Sequence, residues 1–495
     1  MAFAGSAFGR LRGWLPTAAV AGLAGVAGVA GSYLAVGRTP AFVGAPVGDV
    51  VTATTPDAVM NAAITYLGDL GHQLAFAVAL GLTATLLAAA ALAGAVALRT
   101  GRRPTAVLQG AALPGMVALA LTTDLVSGAG AAAGAGLVVL VAALVPPTAD
   151  DATVPGRRRL LAALGTALGV SAVASVLTDD GARAPAGLDL PPDARPAVEA
   201  HMQTAAERAL DVEGLEGLVS SGFYEVDINT VANPDVDRES WTLAVTGAVE
   251  TEREFTYEDL RAMPREDTFQ TLRCVGEALN GRKCDTALWT GVPVRHLLEA
   301  VNPQGEYVML RAVDDYFEEF PVAALRTGTL AYGMNGRDLP RNHGAPVRAL
   351  VPGHWGEINV KWLDEIEILD QPATGYWEKR GWHGTGPVNT VAKLWQTNHR
   401  EDGRIEVGGH AYAGTRGIER VEVSTDGGAT WAEATLSEPL PGEDVWRQWV
   451  HRYRRGERHE VVVRAVDGTG TLQPSEQSEA FPSGPSGWVR STVVP

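Results

Sequence analysis

Five long stretches within the first 180 residues carry almost no charge. They run Thr17–Gly37, Gly71–Leu98, Thr105–Thr123 (broken by Pro114), Gly128–Val145 and Leu160–Thr178. Each reaches or approaches the roughly 18 apolar residues that a bilayer-crossing helix needs. Their Ala and Gly content suits close helix packing in lipid, and they lack the polar face of a helix in a soluble bundle. Beyond residue 215 the pattern turns to mixed α and β. Trp241–Gly247 alternates like a strand, Thr256 is placed to cap a helix, and Val294–Val301 reads as a helix closed by Asn302-Pro303. Ala345–Leu350 and Asn359–Leu369 read as strands.

From about residue 400 the strands shorten. Arg404–Tyr412, Ile418–Ser424 and Glu460–Ala465 are separated by turn signals at Asp426-Gly427-Gly428 and Asp467-Gly468. That spacing predicts a β-sandwich of immunoglobulin type. The expected organisation is a helical membrane anchor at 1–180, a Pro/Ala linker with a short helix near Pro196–Val212 at 181–215, an α+β domain at 216–395 and the sandwich at 396–495.

Charge divides the chain the same way. Of its 495 residues, 1–180 hold nine Arg, no Lys and eight acids, whereas the remainder carries a net charge of −18. An acidic exposed part excludes nucleic acid as a partner, because phosphate binding needs a basic face. Arginines precede span one (Arg10, Arg12), separate spans two and three (Arg99, Arg102, Arg103) and separate spans four and five (Arg157, Arg158, Arg159). This bias predicts a cytoplasmic N-terminus and an extracytoplasmic C-terminal part. Gly156-Arg-Arg-Arg-Leu-Leu161 also resembles a twin-arginine export signal; plain positive-inside anchoring explains the arginines equally. His72 is the only histidine in the spans, which argues against a bis-histidine haem and a proton path and disfavours a transporter. No haem-attachment or CxxC motif occurs.

Two segments carry chemistry. One is Thr271-Leu-Arg-Cys274-Val-Gly followed by Ala287-Leu-Trp-Thr-Gly-Val-Pro293. The other runs from Leu330 through His343-Gly-Ala-Pro-Val-Arg348 to Gly353 and on to Asn359-Val-Lys361-Trp-Leu. Together they resemble the sulfite oxidase family of molybdenum-cofactor enzymes. Arg420–Trp431 resembles that family's immunoglobulin-like dimerisation domain. The resemblance spans about 216–495. It implies an oxidoreductase transferring an oxygen atom at molybdenum, with a molybdopterin cofactor and a possible homodimer; the apolar spans make it membrane-anchored. No cytochrome b5-like haem domain is recognised, so no haem is expected. Its substrate would be a small oxyanion or a sulfoxide, and electrons would pass to or from a separate cytochrome or cupredoxin, or through the membrane bundle.

Residue by residue, the resemblance implies Cys274 as the thiolate ligand to molybdenum, a soft donor suited to that metal. A disulfide to Cys284 or simple burial are the alternatives. Tyr224, Glu225, Asp314, His343, Arg348, Asn359, Val360 and Lys361 would contact the anionic cofactor. Departures are equally visible. Glu225 stands where the sulfite-oxidising branch has an anion-binding Arg, Glu277-Ala-Leu replaces Asn-Arg-Arg, and Trp382 replaces the Tyr in Trp377-Glu-Lys-Arg380-Gly-Trp382. Trp382 offers only an indole N–H and an apolar face. Arg380 and Trp382 are therefore candidate catalytic residues, with Arg273, His354 and His383 as further anion contacts. The weakened anion site leaves sulfoxide reduction open. A cofactor-free surface receptor is the rival of another class, and it has no need of Cys274, His343, Arg348 and Lys361.

Overall fold

The computed structural model describes residues 2–145, 157–177, 188 and 195–495. The Ala184–Pro192 linker and part of the arginine motif at 156–161 lie outside the described residues. The chain divides into two compact units, 1–56, 69–184 and 228–235 in the first, and 57–68, 185–227 and 236–495 in the second.

In the first unit the apolar stretches become α1 (Ala2–Val36) and, after α2 (Ala45–Thr54) and α3 (Asp57–Ala62, in the second unit), α4 (Asp69–Arg99), α5 (Arg103–Thr122), α6 (Leu125–Leu144) and α7 (Arg157–Leu177). Trp14–Val36, α4, α5 and α6 are long and apolar enough to cross a membrane by length and composition. The fifth expected span forms α7, which opens on three arginines and is not among those four. Glycines let the helices touch. A Cβ on Gly31 would lie 2.2 Å from the Gly130 carbonyl oxygen, and one on Gly134 2.0 Å from that of Ala27. The hydroxyls of Ser32 and Ser127 hydrogen-bond at 2.8 Å in the same α1–α6 seam.

After α3, the second unit continues, among described elements, with α8 (Arg195–Arg208), β1 (Thr242–Gly247), β2 (Arg253–Thr256), α9 (Tyr257–Ala262), β3 (Glu266–Arg273), β4 (Cys284–Pro293), α10 (Val294–Val301), β5 (Tyr307–Ala312), β6 (Phe317–Pro321), β7 (Thr329–Met334), β8 (Arg337–Asp338), β9 (Arg348–Leu350) and β10 (Leu363–Leu369). Thr256 closes a capping box with Asp259 at the start of α9. One sheet is ordered β2-β1-β10-β5-β6, with β1 and β10 parallel. The other is β3-β4-β7-β8, with β9 also on β7. Leu243, Val245, Leu288, Leu297, Leu310 and Ile366 build a shared apolar core.

The tail holds β11 (Val391–Ala392), β12 (Gln396–His399), β13 (Ile405–Tyr412), β14 (Ile418–Ser424), β15 (Ala432–Glu433), β16 (Thr435–Leu436), β17 (Arg447–Tyr453), β18 (His459–Asp467) and β19 (Val489–Val493). They form two sheets, β11-β13-β17-β16 with β12 on β13, and β15-β14-β18-β19. Val407 and Trp449 of the first meet Val421 and Val463 of the second. The tail is tied to the α+β domain by buried charge. Lys393 Nζ donates to Glu277 Oε1 at 2.5 Å, and Arg273 Nε donates to the same oxygen at 2.7 Å.

A Cβ at Gly134 forces α1 and α6 apart. Gly134→Val therefore lowers the stability of the detergent-solubilised chain by about 1–3 kcal/mol, the range for overpacking. Gly22→Val, whose Cβ meets nothing within 4 Å, leaves it unchanged. Thermal unfolding in detergent reads the difference.

Candidate active site

Cys274 follows the last residue of β3, and its N–H donates to the Lys283 carbonyl at 2.9 Å. That turn presents the thiol beside Gly276, where a Cβ would lie 3.9 Å from Cys274 Sγ, 3.6 Å from the Trp382 ring and 2.9 Å from Ile64 Cγ2. Burial pushes the Cys274 thiol up to about 11, against the opposing pull of Lys283. Cys284 opens β4 opposite Arg273, is buried, and is held at about 12 by burial. Both cysteines are free, so the disulfide alternative fails.

A second group surrounds Arg348, the first residue of β9. The short 3-10 turn Arg341–His343 and the bend at Asn359, which ends a second 3-10 turn (Gly356–Ile358) where the sequence predicts a strand from Asn359, both aim carbonyls at it: its guanidinium donates to His343 O at 3.1 Å and to Asn359 O at 2.9 Å. Its carbon end lies 5.3 Å over the Trp289 ring. Asn359 is itself clamped, accepting from Val351 N–H at 2.7 Å and donating to Trp355 O at 2.9 Å, and Val360 O accepts from Ala349 N–H. Lys361 Nζ bonds Asp227 at 3.0 Å and Asn342 O at 2.9 Å. Gly344, at φ 108°, lets this segment approach, since a Cβ there would lie 2.9 Å from Lys361 Cα.

Arg348 is 5% exposed, no carboxylate among the described residues lies within ion-pair distance of it, and its Nε has no hydrogen-bond partner. Burial lowers it to about 10. Burial, then Arg348 and Lys361, lower His343 to about 3, so its ring is neutral. A buried, uncompensated guanidinium is costly unless an anion joins it. The site thus fits the anionic tail that a molybdopterin carries.

Tyr224 links the two groups. Its N–H donates to Asp285 at 2.8 Å, its ring stacks on Phe223, and a Cβ at Gly356 would meet its hydroxyl at 2.8 Å. Burial, then Cys274, raise the phenol well above 10. The remaining candidates separate. Glu225 is exposed and accepts from Asn342 Nδ2 at 3.2 Å. Asp314 sits in the β5–β6 turn and accepts from Tyr316 N–H at 3.3 Å. Arg273 points into the Glu277 network under Trp355, so it is structural. His354 bonds Pro352 O at 2.8 Å, and His383 N–H donates to Pro482 O.

Sequence reasoning missed two features. The turn carrying Arg380 and Trp382 is held by Asn61: Asn61 Nδ2 donates to Arg380 O at 2.6 Å and Asn61 Oδ1 accepts from Trp382 Nε1 at 3.0 Å. Asp57 lies 3.3 Å from Arg380 Nε, and Arg380 stacks 3.7 Å over Tyr376. Only the polar content of the connection between spans one and two hinted at this. The second is a carboxyl cluster, Glu318, Glu357 and Glu378, whose oxygens lie within 4.8 Å of one another. Tyr316 OH donates to Glu318 at 3.2 Å and to Glu357 O at 2.9 Å. Burial, reinforced by the neighbouring carboxyls, pushes Glu318 and Glu357 well above the usual carboxylate range.

Known proteins were compared with this arrangement. Residues 230–377 match the family model of the oxidoreductase molybdopterin binding domain, and 388–481 that of the Mo-co oxidoreductase dimerisation domain. The chain belongs to the sulfite oxidase family of molybdenum-cofactor oxidoreductases. Sulfite oxidase of Arabidopsis thaliana is 28% identical over 330 residues, 52% of this chain and 84% of that protein. Human mitochondrial sulfite oxidase is 28% identical over 302 residues, 50% of this chain. The chain spans only 55% of that mitochondrial relative. The sulfane dehydrogenase SoxCD of Paracoccus pantotrophus aligns over 62% of this chain and 91% of its own, with TM-score 0.46 and 22% identity.

The carboxyl cluster sets a pH dependence. The folded state holds Glu318 and Glu357 protonated where the unfolded chain ionises them, so unfolding releases protons and stability falls as pH rises above their ordinary 4.5. Glu357→Gln flattens that fall: its melting temperature gains on wild type at pH 9 and is near wild type at pH 5. Paired thermal melts at the two pH values check this.

Proposed function

We propose that this chain is a membrane-anchored molybdopterin enzyme that transfers an oxygen atom to or from a small sulfur oxo-compound. The observation that carries the reading is the buried, uncompensated Arg348 on the same sheet as the half-buried thiol of Cys274. When bound, the cofactor supplies two-electron oxygen-transfer chemistry. Arg348, His343 and the Asn359–Lys361 backbone would hold its anionic tail, with Tyr224 between tail and metal. Cys274, as thiolate, would ligate molybdenum; Lys283 and the Gly276 N–H lower its proton affinity, and a metal would remove the proton outright. Trp382 would present its indole face to the substrate.

With no haem module recognised in the sequence, electrons would pass to or from a separate carrier. The four apolar helices support anchoring, and the arginine bias supports an external catalytic domain. The dimerisation-domain match supports a homodimer. Sulfoxide reduction has one observation in its favour. Arg380 is paired with Asp57 and stacked on Tyr376, and Trp382 is neutral, which leaves less positive charge for a sulfite dianion than the sulfite-oxidising pattern implies. A dye-coupled assay of the purified full chain with sulfite and with sulfoxides decides the direction. Turnover is expected in wild type and absent in Cys274→Ser. Arg348→Met is expected to lose most bound pterin, since replacing a charged hydrogen-bonding group forfeits about 1.5–3 kcal/mol per bond. Wild-type protein from a cofactor-competent host that holds no pterin overturns the reading.

A further inference from the structure

The segment 57–68 lies in sequence between α2 and α4, yet it belongs to the second unit with the catalytic residues. It comprises α3 and a π-helical turn, Ala63–Leu67, a local geometry found disproportionately at functional sites. Three independent contacts join it to the site. Asn61 uses both ends of its amide, donating to Arg380 O and accepting from Trp382 Nε1. Asp57 pairs with the Arg380 side chain. Ile64 packs on the apolar core beside Trp382 and shares with it and Cys274 Sγ the space over Gly276.

Trp382 is 2% exposed; its backbone N–H donates to Trp377 O at 3.1 Å, and its ring meets those of Phe481 at 5.1 Å and Trp377 at 6.4 Å edge-on. Ring contacts are not directional; among the described residues the bond to Asn61 is the directional restraint on the indole itself. An amide that satisfies a buried indole N–H and a backbone carbonyl two residues apart fixes both the height and the tilt of the turn between them.

We propose that the 57–68 segment is the wall of the substrate pocket over Cys274, and that Asn61 is a positioning residue that sets where Arg380 and Trp382 stand. The wall is neutral: Ile64 is apolar, Asn61 is an amide, and Asp57 cancels Arg380. It selects a compact, weakly charged substrate and shields the thiol side of the site from bulk water. The proposal deepens the oxidoreductase reading, but its first test does not depend on it.

That test is alkylation of Cys274 by N-ethylmaleimide in the full chain, purified in detergent from cells unable to make the pterin. Modified peptides are read by mass spectrometry. Cys284, 1% exposed, is the internal control for folding. Asn61→Ala is expected to react at Cys274 roughly tenfold faster than wild type, the weight of one or two ordinary hydrogen bonds, with Cys284 unmodified. Asn61→Asp, which keeps the acceptor for Trp382 and loses the donor to Arg380, is expected to fall between. If Asn61→Ala exposes Cys284 as well, Ile64→Ala decides, with the same expected acceleration. Equal Cys274 rates in wild type and a folded variant overturn the wall.

In chain loaded with molybdenum, Asn61→Ala is expected to keep its metal content, to shift the Mo(V) paramagnetic resonance signal and to raise KM more than it lowers kcat. An unchanged signal with unchanged KM overturns the positioning role. Wild type that takes up no molybdenum, with the alkylation difference intact, sinks the oxidoreductase reading and leaves the wall standing.

Discussion

A buried guanidinium without a counter-anion governs the catalytic half of this chain. Arg348 is buried and, among the described residues, bonded to the carbonyls of His343 and Asn359 with its Nε unsatisfied. Such a group is destabilising in isolation. Around it the fold spends other polar groups on rigidity. Asn359 is clamped at both ends of its amide, Lys361 is fixed by Asp227, and Gly344 allows the two segments to close. A neutral His343 completes a pocket with positive charge to spare and one unused donor. An anion placed beside Arg348 would offset that charge.

Elsewhere buried charge is compensated inside the protein. Glu277 answers both Arg273 and Lys393 and so binds the sandwich to the α+β domain. Glu318 and Glu357 stay neutral by holding protons. The contrast isolates Arg348: where charge is structural it is paired or protonated, and where it is left over it points to a ligand. Near Cys274 the surroundings are mixed: Ile64 and the Trp382 ring share the space over Gly276 with the thiol, while Lys283 and Glu277 act on it with opposite signs.

Much of this was legible in the sequence because it is local. Thr256 with Asp259 announces α9, Val294–Val301 is helical over its predicted length, and four of the five apolar runs become helices within about three residues of their expected ends, whereas the first helix begins at Ala2 rather than Thr17. The motifs at Cys274 and His343–Lys361 named the residues that the fold gathers around Arg348. What was not legible is long-range. Nothing between Asp57 and Gly68 signals that Asn61 meets Trp382, 321 positions away. The carboxyl cluster draws on three segments that motif spacing never relates, and room for it depends on Gly375 and Gly384, where a Cβ would collide with Glu318 and Glu357. Glu225, expected beside the metal, is exposed and bonded to Asn342, because its neighbour Tyr224 takes the inward position.

X-ray absorption at the molybdenum edge of the loaded full chain asks whether Cys274 ligates the metal in the proposed site at Arg348. The metal in Cys274→Ser is expected to have one sulfur neighbour fewer than in wild type, with Cys284→Ser indistinguishable from wild type. An unchanged sulfur count in Cys274→Ser would contradict that ligation.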